Sequence, residues 1–280
     1  REIRDTRLKL KAEGNPMQQP YKIVLNSTYG AMKDKYNALY DPRQANNVCV
    51  AGQLLLLDLI EHLEPYCQLI QSNTDGLFVK LHHENDLDII KEICKEWENR
   101  TRMSLDYETF TKIYQKDVNN YIVIHEDGSY ESKGAYVKKL NNLDYDLPIV
   151  NKALVEYFIN NTPVEETIYN CNDLKEFQMV VKVSNKFQYA QHGTKKLNER
   201  VLRVFASTDP KDPGVFKMNS RNRLEKIAGT PERCFIRNDD VNGRRIPRRL
   251  DRDWYIDIAK KRLKDFTGIE DQMNIWEMMR

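Results

Sequence analysis

The sequence predicts an α+β protein: a helical hairpin, then a small antiparallel sheet with helices, then a mixed, mainly helical end. Three observations predict it. Apolar residues recur at helical spacing through the first 63 residues. Between 68 and 136 the pattern changes to short apolar runs around polar turns. Helical spacing then returns at 148–161 and 252–266.

Residues 1–13 read as a helix, with Ile3, Leu8 and Leu10 among many charges. Gly14, Asn15 and Pro16 break it. A second helical pattern runs from Gln18 to Met32, so the short break makes an antiparallel hairpin. Residues 43–63 read as a long buried helix that includes the run Leu54 to Leu57. Strands at 68–71 and 77–81 flank the polar turn Ser72 to Gly76. An Asp-Gly pair between short apolar runs is a hairpin signal. Residues 84–99 form an amphipathic pattern. Strands are expected at 104–110 and 120–125, and another from Tyr130 to Tyr136. Between the last two helices the sequence is polar, rich in Asn, Lys and Arg, and reads as irregular. No internal repeat is present.

The chain has 280 residues, 40% hydrophobic and 31% charged, which excludes a disordered polyelectrolyte. Its longest apolar stretch, Val48 to Ile60, is broken by Gln53 and Asp58 and is too short to span a membrane. No segment resembles a signal peptide. The five cysteines form no CxxC pair, which argues against a disulfide framework or structural zinc. A soluble, intracellular protein is expected.

The formal charge of +2 conceals segregation. Residues 1–35 carry eight basic against four acidic side chains, 54–108 five against twelve, and 217–262 fourteen against seven. Basic ends around an acidic centre point to a polyanion at the flanks and a cation in the middle. Ordinary solvated helix faces would give the same pattern.

Lys22, Asn26 and Tyr29 share one helix face. A cation, an amide and a phenol in a row can grip a phosphate and flank a sugar and base. A surface lysine beside a half-buried tyrosine has the same spacing. Arg7 and Lys11 add an i, i+4 basic pair on the first helix, where a closed hairpin could set them opposite Lys22. Cations on facing helices suit a triphosphate, although basic pairs are common on solvated helices. At the predicted hairpin tip stand Asn73, Thr74, Asp75 and Gly76. A carboxylate held on a turn suits Mg²⁺, which takes one or two carboxylates plus phosphate oxygens. A purely structural turn would use the same residues.

In combination the motifs resemble the family B (α-like) DNA polymerases. Lys22 to Gly30 matches that family's fingers motif, K-x3-N-S-x-Y-G, and Arg7-x3-Lys11 matches the preceding fingers helix. Gln71 to Val79 is similar to the palm motif written D-T-D-S or D-T-D-G. Leu105 to Phe110 is similar to the acidic palm strand. Asn120-Tyr121 and Lys133-Gly134 resemble the start of the thumb, and Leu250 to Ile256 its D-x-x-Y-Y-I segment. The resemblance runs in the family's order along nearly the whole chain.

The resemblance implies a right-hand polymerase fold: part of the fingers at 1–33, part of the palm at 34–112, and a mainly helical thumb at 113–280. It implies template-directed addition of dNTPs to a primer 3′-hydroxyl by a two-metal mechanism with Mg²⁺. Asp75, with Asn73 and Thr74 beside it, would carry the catalytic turn. Glu108, with Asp106 as a further candidate, would assist at the metal. Arg7, Lys11, Lys22, Asn26 and Tyr29 would bind the nucleotide. Tyr121, Lys133, Gly134, Lys138, Lys139, Arg244, Arg245, Arg248 and Arg249 would hold primer–template DNA. The compact fingers turn and the lack of a C-terminal cysteine module look more like a phage or other viral enzyme, whose setting would be the host cytoplasm.

The chain departs from the family at three places. Asn73 stands where an aspartate is usual, Asn119 and Asn120 stand where two lysines are usual, and the palm motif D-x-x-S-L-Y-P-S is missing. That motif would supply the second metal-binding aspartate. An upstream polymerase segment, carrying it and an exonuclease, is therefore an expected partner. A non-catalytic nucleic-acid-binding module and one half of a split polymerase stand as alternatives.

Overall fold

The computed structural model describes residues 2–137 and 146–267. The chain forms two compact units, Arg1–Tyr107 and Glu108–Arg280. Among the described residues, no helix is long and apolar enough to cross a membrane.

In the first unit, α1 (Glu2–Ala12) packs against α2 (Gln18–Lys33) as a hairpin. The turn needs Gly14, whose φ of +66° is left-handed, and Asn15 Oδ1 accepts from Met17 N at 3.0 Å. The third helix, α3 (Pro42–Leu63), starts with Pro42 and is capped by Asp41, which accepts from Gln44 N at 2.9 Å. Strands β1 (Cys67–Ser72) and β2 (Leu77–Leu81) pair antiparallel, with a bulge between Leu69 and Gln71. The unit continues with α4 (Asp86–Thr101). Its core joins Leu59 and Leu63 of α3, Cys67 of β1, and Ile90, Cys94 and Trp97 of α4. Trp97 Nε1 donates to Leu55 O at 3.1 Å, and Arg100 pairs with Asp58 at 2.7 Å.

Two expectations for this unit need correction. Only one stripe of α3 is buried: Ala45, Leu59 and Leu63 are covered, while Val48, Val50, Leu54 and Leu57 are exposed. The strand expected at 104–110 is absent. Leu105 packs on the core, but its N–H is taken by the Glu98 carboxylate at 2.5 Å, and no strand pairs with the segment among the described residues. The next strand starts only at Lys112.

The second unit opens with a three-stranded meander, β3 (Lys112–Asp117), β4 (Asn120–Ile124) and β5 (Tyr130–Lys133). Helices α5 (Pro148–Asn160) and α6 (Val164–Asn170) and a short 3-10 turn, Leu174–Phe177, follow. Seven short strands come next: β6 (Met179–Lys182), β7 (Ala190–His192), β8 (Lys195–Leu197), β9 (Val201–Ala206), β10 (Val215–Met218), β11 (Leu224–Lys226) and β12 (Cys234–Ile236). They make one sheet of order β12-β9-β6 and another of order β11-β10-β7-β8. The last described element is α7 (Arg252–Thr267).

The mainly helical end is thus corrected: the polar stretch read as irregular is where these sheets lie. Strands of three to six residues, set off by turns, leave too short a run for alternation to show. The main core of the unit is anchored by Tyr255, which is fully buried. Its hydroxyl donates to Phe177 O at 2.7 Å and accepts from Ala206 N at 3.1 Å. Burial pushes this phenol well above the usual tyrosine range, and the Asp251 carboxylate adds to the effect.

Candidate functional site

Strands β1 and β2 leave Asn73, Thr74, Asp75 and Gly76 as the hairpin tip. Asn73 N donates to Gly76 O at 2.8 Å, and Asn73 Oδ1 accepts from Thr74 N at 2.7 Å. The Asn73 amide therefore folds back and closes the turn. Asp75 is exposed and has no hydrogen bond or ion pair among the described residues. Gly76 is not in the left-handed region, and a Cβ there would meet nothing within 4 Å, so the tip is open. Just before it, Gln71 is only 4% exposed, yet neither polar atom of its side chain has a partner among the described residues.

No group of three or more His, Cys, Asp or Glu side chains that could hold a metal occurs among the described residues. Asp75 offers one hard oxygen donor group. That fits Mg²⁺ held by one carboxylate together with phosphate oxygens, and does not fit an all-protein cage. Asp106 and Glu108 are exposed on the segment that lacks strand pairing.

On α2, Lys22, Asn26 and Tyr29 follow at i, i+4 and i+7, which puts them on one face. Lys22 and Asn26 are exposed, as is Lys11 on α1. Arg7 is half-buried, and its Nε has no partner among the described residues. Tyr29 is held at both ends. Its hydroxyl lies 2.7 Å from Cys49 Sγ of α3, and Lys33 Nζ sits 4.5 Å from its ring centroid. The contact with Tyr29 holds the Lys33 ammonium above its ordinary range. Neither neighbour was read from the sequence. Lys33 could have been, since it stands four residues after Tyr29 on the same helix. Cys49 carried no spacing signal, because it reaches Tyr29 from another helix.

In the second unit, Tyr121 of β4 stands directly opposite Lys133 of β5, whose Nζ is 5.9 Å from the Tyr121 ring. Gly134 follows at φ +101°, where an added Cβ would lie 2.2 Å from Asn119 O. Only glycine fits this approach to the β3–β4 turn. Lys138 and Lys139 lie outside the described residues. In the loop before α7, Arg244 pairs with Asp239 at 3.0 Å, and Arg249 pairs with Asp212 at 3.1 Å and covers Phe235 at 4.6 Å. Arg245 and Arg248 are exposed and have no ion pair among the described residues.

The structure thus gathers Lys22, Asn26 and Tyr29 on one helix face, and Tyr121, Lys133 and Gly134 on one meander. It presents Asp75 on the hairpin tip, without an ion pair among the described residues.

The chain is similar to proteins named DNA polymerase 1. It is 25% identical over 218 residues to that of Saccharolobus solfataricus, covering 75% of this chain and 23% of that protein. It is 23% identical over 194 residues to that of Sulfurisphaera ohwakuensis, covering 68% and 21%. It is 22% identical over 196 residues to that of Sulfolobus acidocaldarius, again covering 68% and 21%. The match spans less than a quarter of the length of these curated relatives. No protein-family model matches the chain.

Proposed function

We propose that this chain is the C-terminal portion of a family B DNA polymerase of phage or viral kind, and that it takes part in template-directed DNA synthesis. The observation that carries the reading is Asp75, an exposed carboxylate without an intramolecular partner among the described residues, on a hairpin tip closed by Asn73. The similarity to DNA polymerases supports it.

In this reading Asp75 is the chain's ligand to Mg²⁺. Divalent cations, when bound, activate the primer hydroxyl and stabilise the leaving pyrophosphate. The remaining carboxylate comes from an upstream polymerase segment. Arg7, Lys11 and Lys22 neutralise the incoming triphosphate, Arg as a fork and the lysines as point charges. Asn26 and Tyr29 lie against the sugar and base. Tyr29 arrives there already oriented by Cys49 and Lys33. Tyr121, Lys133 and the glycine turn at 134, with Lys138 and Lys139, hold the product duplex by its backbone or minor groove. A polymerase must accept every sequence, so base-edge contacts in the major groove are excluded from this role. Arg245 and Arg248 are ready for phosphates. Arg244 can exchange its surface carboxylate, Asp239, for a phosphate at little cost, because such pairs are worth about 0–1 kcal/mol, whereas Arg249 is held by the mostly buried Asp212.

Primer extension with Mg²⁺, dNTPs and a supplied upstream polymerase segment tests this. Extension is expected to need both pieces, and Asp75→Ala is expected to lower it by about a hundredfold or more, as loss of several kcal/mol of charge stabilisation requires. Extension that is unchanged in Asp75→Ala would overturn the assignment. Absence of extension in every combination would favour a non-catalytic nucleic-acid-binding module, with Asn73 a mark of lost chemistry.

A further inference from the structure

The sheet β11-β10-β7-β8 has two unlike faces. Ala190 and Val215 are fully buried and pack with Val181, Leu202, Val204 and Cys234. Alternation along the strands then sends Gln191, Lys196, Phe216 and Lys226 to the opposite face. The register sets these four side by side in one row across all four strands. A second row on the same face holds Met218 beside Leu224, with Tyr189 next to them, since Met218 N donates to Tyr189 O at 3.0 Å.

The apolar side chains of this mixed outer face belong to no core, and Tyr189, Phe216 and Met218 are half-buried there. Tyr189, Phe216, Met218 and Leu224 join none of the buried clusters of the described residues, and Leu224 is 46% exposed. Lys196 and Lys226 stand on this face, with Arg221 and Arg223 on the adjoining turn, while Lys195 and Lys217 alternate to the buried side. Lys196 Nζ lies 4.3 Å from the Tyr189 ring centroid. Arg221 and Arg223, on the β10–β11 turn at the Tyr189 end, have no ion pair among the described residues. Lys226 is engaged by the exposed Glu232.

We propose that this face binds single-stranded DNA, with bases stacked on Tyr189 and Phe216 and phosphates held by Lys196, Arg221 and Arg223. Sequence-independent single-strand sites combine a positive surface with aromatic platforms in this way. Tyr189 and Phe216 are diagonal neighbours on adjacent strands, their side chains starting roughly 7–8 Å apart. A duplex keeps its bases stacked on each other and offers nothing to these rings. An acidic peptide would use the cations and leave the rings idle. The proposal goes beyond the polymerase reading, because it needs neither metal nor triphosphate.

The test uses the 280-residue chain and a fluorescently labelled (dT)20, read by anisotropy without metal or dNTP. Tyr189→Ser and Phe216→Ser are each expected to weaken binding about tenfold, in line with the loss of one stacked base. Lys196→Gln is expected to flatten the salt dependence by roughly 0.7 in slope. Circular dichroism checks the fold, and Phe216→Leu, which keeps apolar bulk but not the ring, serves if a serine variant unfolds. Photocrosslinking of an iododeoxyuridine-substituted strand should mark Tyr189 or Phe216. Unchanged affinity in folded ring variants, equal or tighter binding of a duplex, or full displacement by polyglutamate overturns the proposal. Arg245→Gln with Arg248→Gln, on a different loop, must leave the ring effect in place. Failed primer extension with this binding intact would count against the polymerase reading alone.

Discussion

Tyr29 shows how much of the site depends on single contacts. Its hydroxyl and ring are both occupied, yet Gly30 next to it is open: a Cβ there would meet nothing within 4 Å. Glycine inside a helix costs up to about 1 kcal/mol relative to alanine. The fold of the described residues gives no reason for that cost, and a nucleotide lying against α2, as proposed, would supply one. On the proposed reading, Gly30→Ala is expected to raise the melting temperature while raising KM for dNTP in primer extension with the upstream segment supplied. A variant that is both more stable and fully active would show that nothing docks there. Tyr255 is the opposite case, a residue that its resemblance to a thumb motif brought to notice and that serves the core. Tyr255→Phe leaves Phe177 O and Ala206 N buried without their partner. About 1–3 kcal/mol of lost stability is expected in urea unfolding.

Among the elements, α3 and α4 are joined by the Asp58–Arg100 pair. The Arg100 guanidinium holds the Asp58 carboxyl below its usual value of 3.8, and His62 adds to the effect. A depressed carboxyl contributes stability above its unfolded pKa and loses it as pH falls through the folded one. Thermal melts of the parent and Asp58→Asn should therefore differ at neutral pH and converge below about pH 4. A gap that persists into acid would assign the effect to packing. This pair was hidden from the sequence because its partners are 42 residues apart. The same rule explains the rest. The α1–α2 hairpin, α4 and the β1–β2 tip were legible because their signals are local: helical spacing, a Gly-Asn-Pro break, an Asp-Gly turn. The exposed stripe of α3, the missing strand at 104–110 and the strands from 179 to 236 were not. Each depends on what lies across from the element, and a short strand pairs with residues that one sequence cannot point to. Asn73 was noticed as a departure from a motif, and its use in closing the turn became visible only with the hydrogen bond to Thr74 N.

For the molecule as a whole, the net charge of +2 is a cancellation that follows the division into units. Residues 1–107 carry fourteen basic and sixteen acidic side chains, and 108–280 thirty and twenty-six, so the parts differ in sign. The segment between them has no strand pairing from Met103 to Phe110, and Arg102 before it is exposed with a left-handed φ of 59°. Exposed backbone without a hydrogen-bonded ladder is where proteases cut first. Brief trypsin treatment is expected to cleave at Arg102 or Lys112 and to leave two fragments that resist further digestion. Because each unit keeps its own core, both fragments should retain circular dichroism signals of folded protein. Ion exchange should separate them, the C-terminal piece binding a cation exchanger. Progressive digestion without stable fragments would mean that each core depends on the other unit. Two resistant fragments would allow the (dT)20 measurement to be repeated on the C-terminal unit, free of the hairpin tip and of the α2 face.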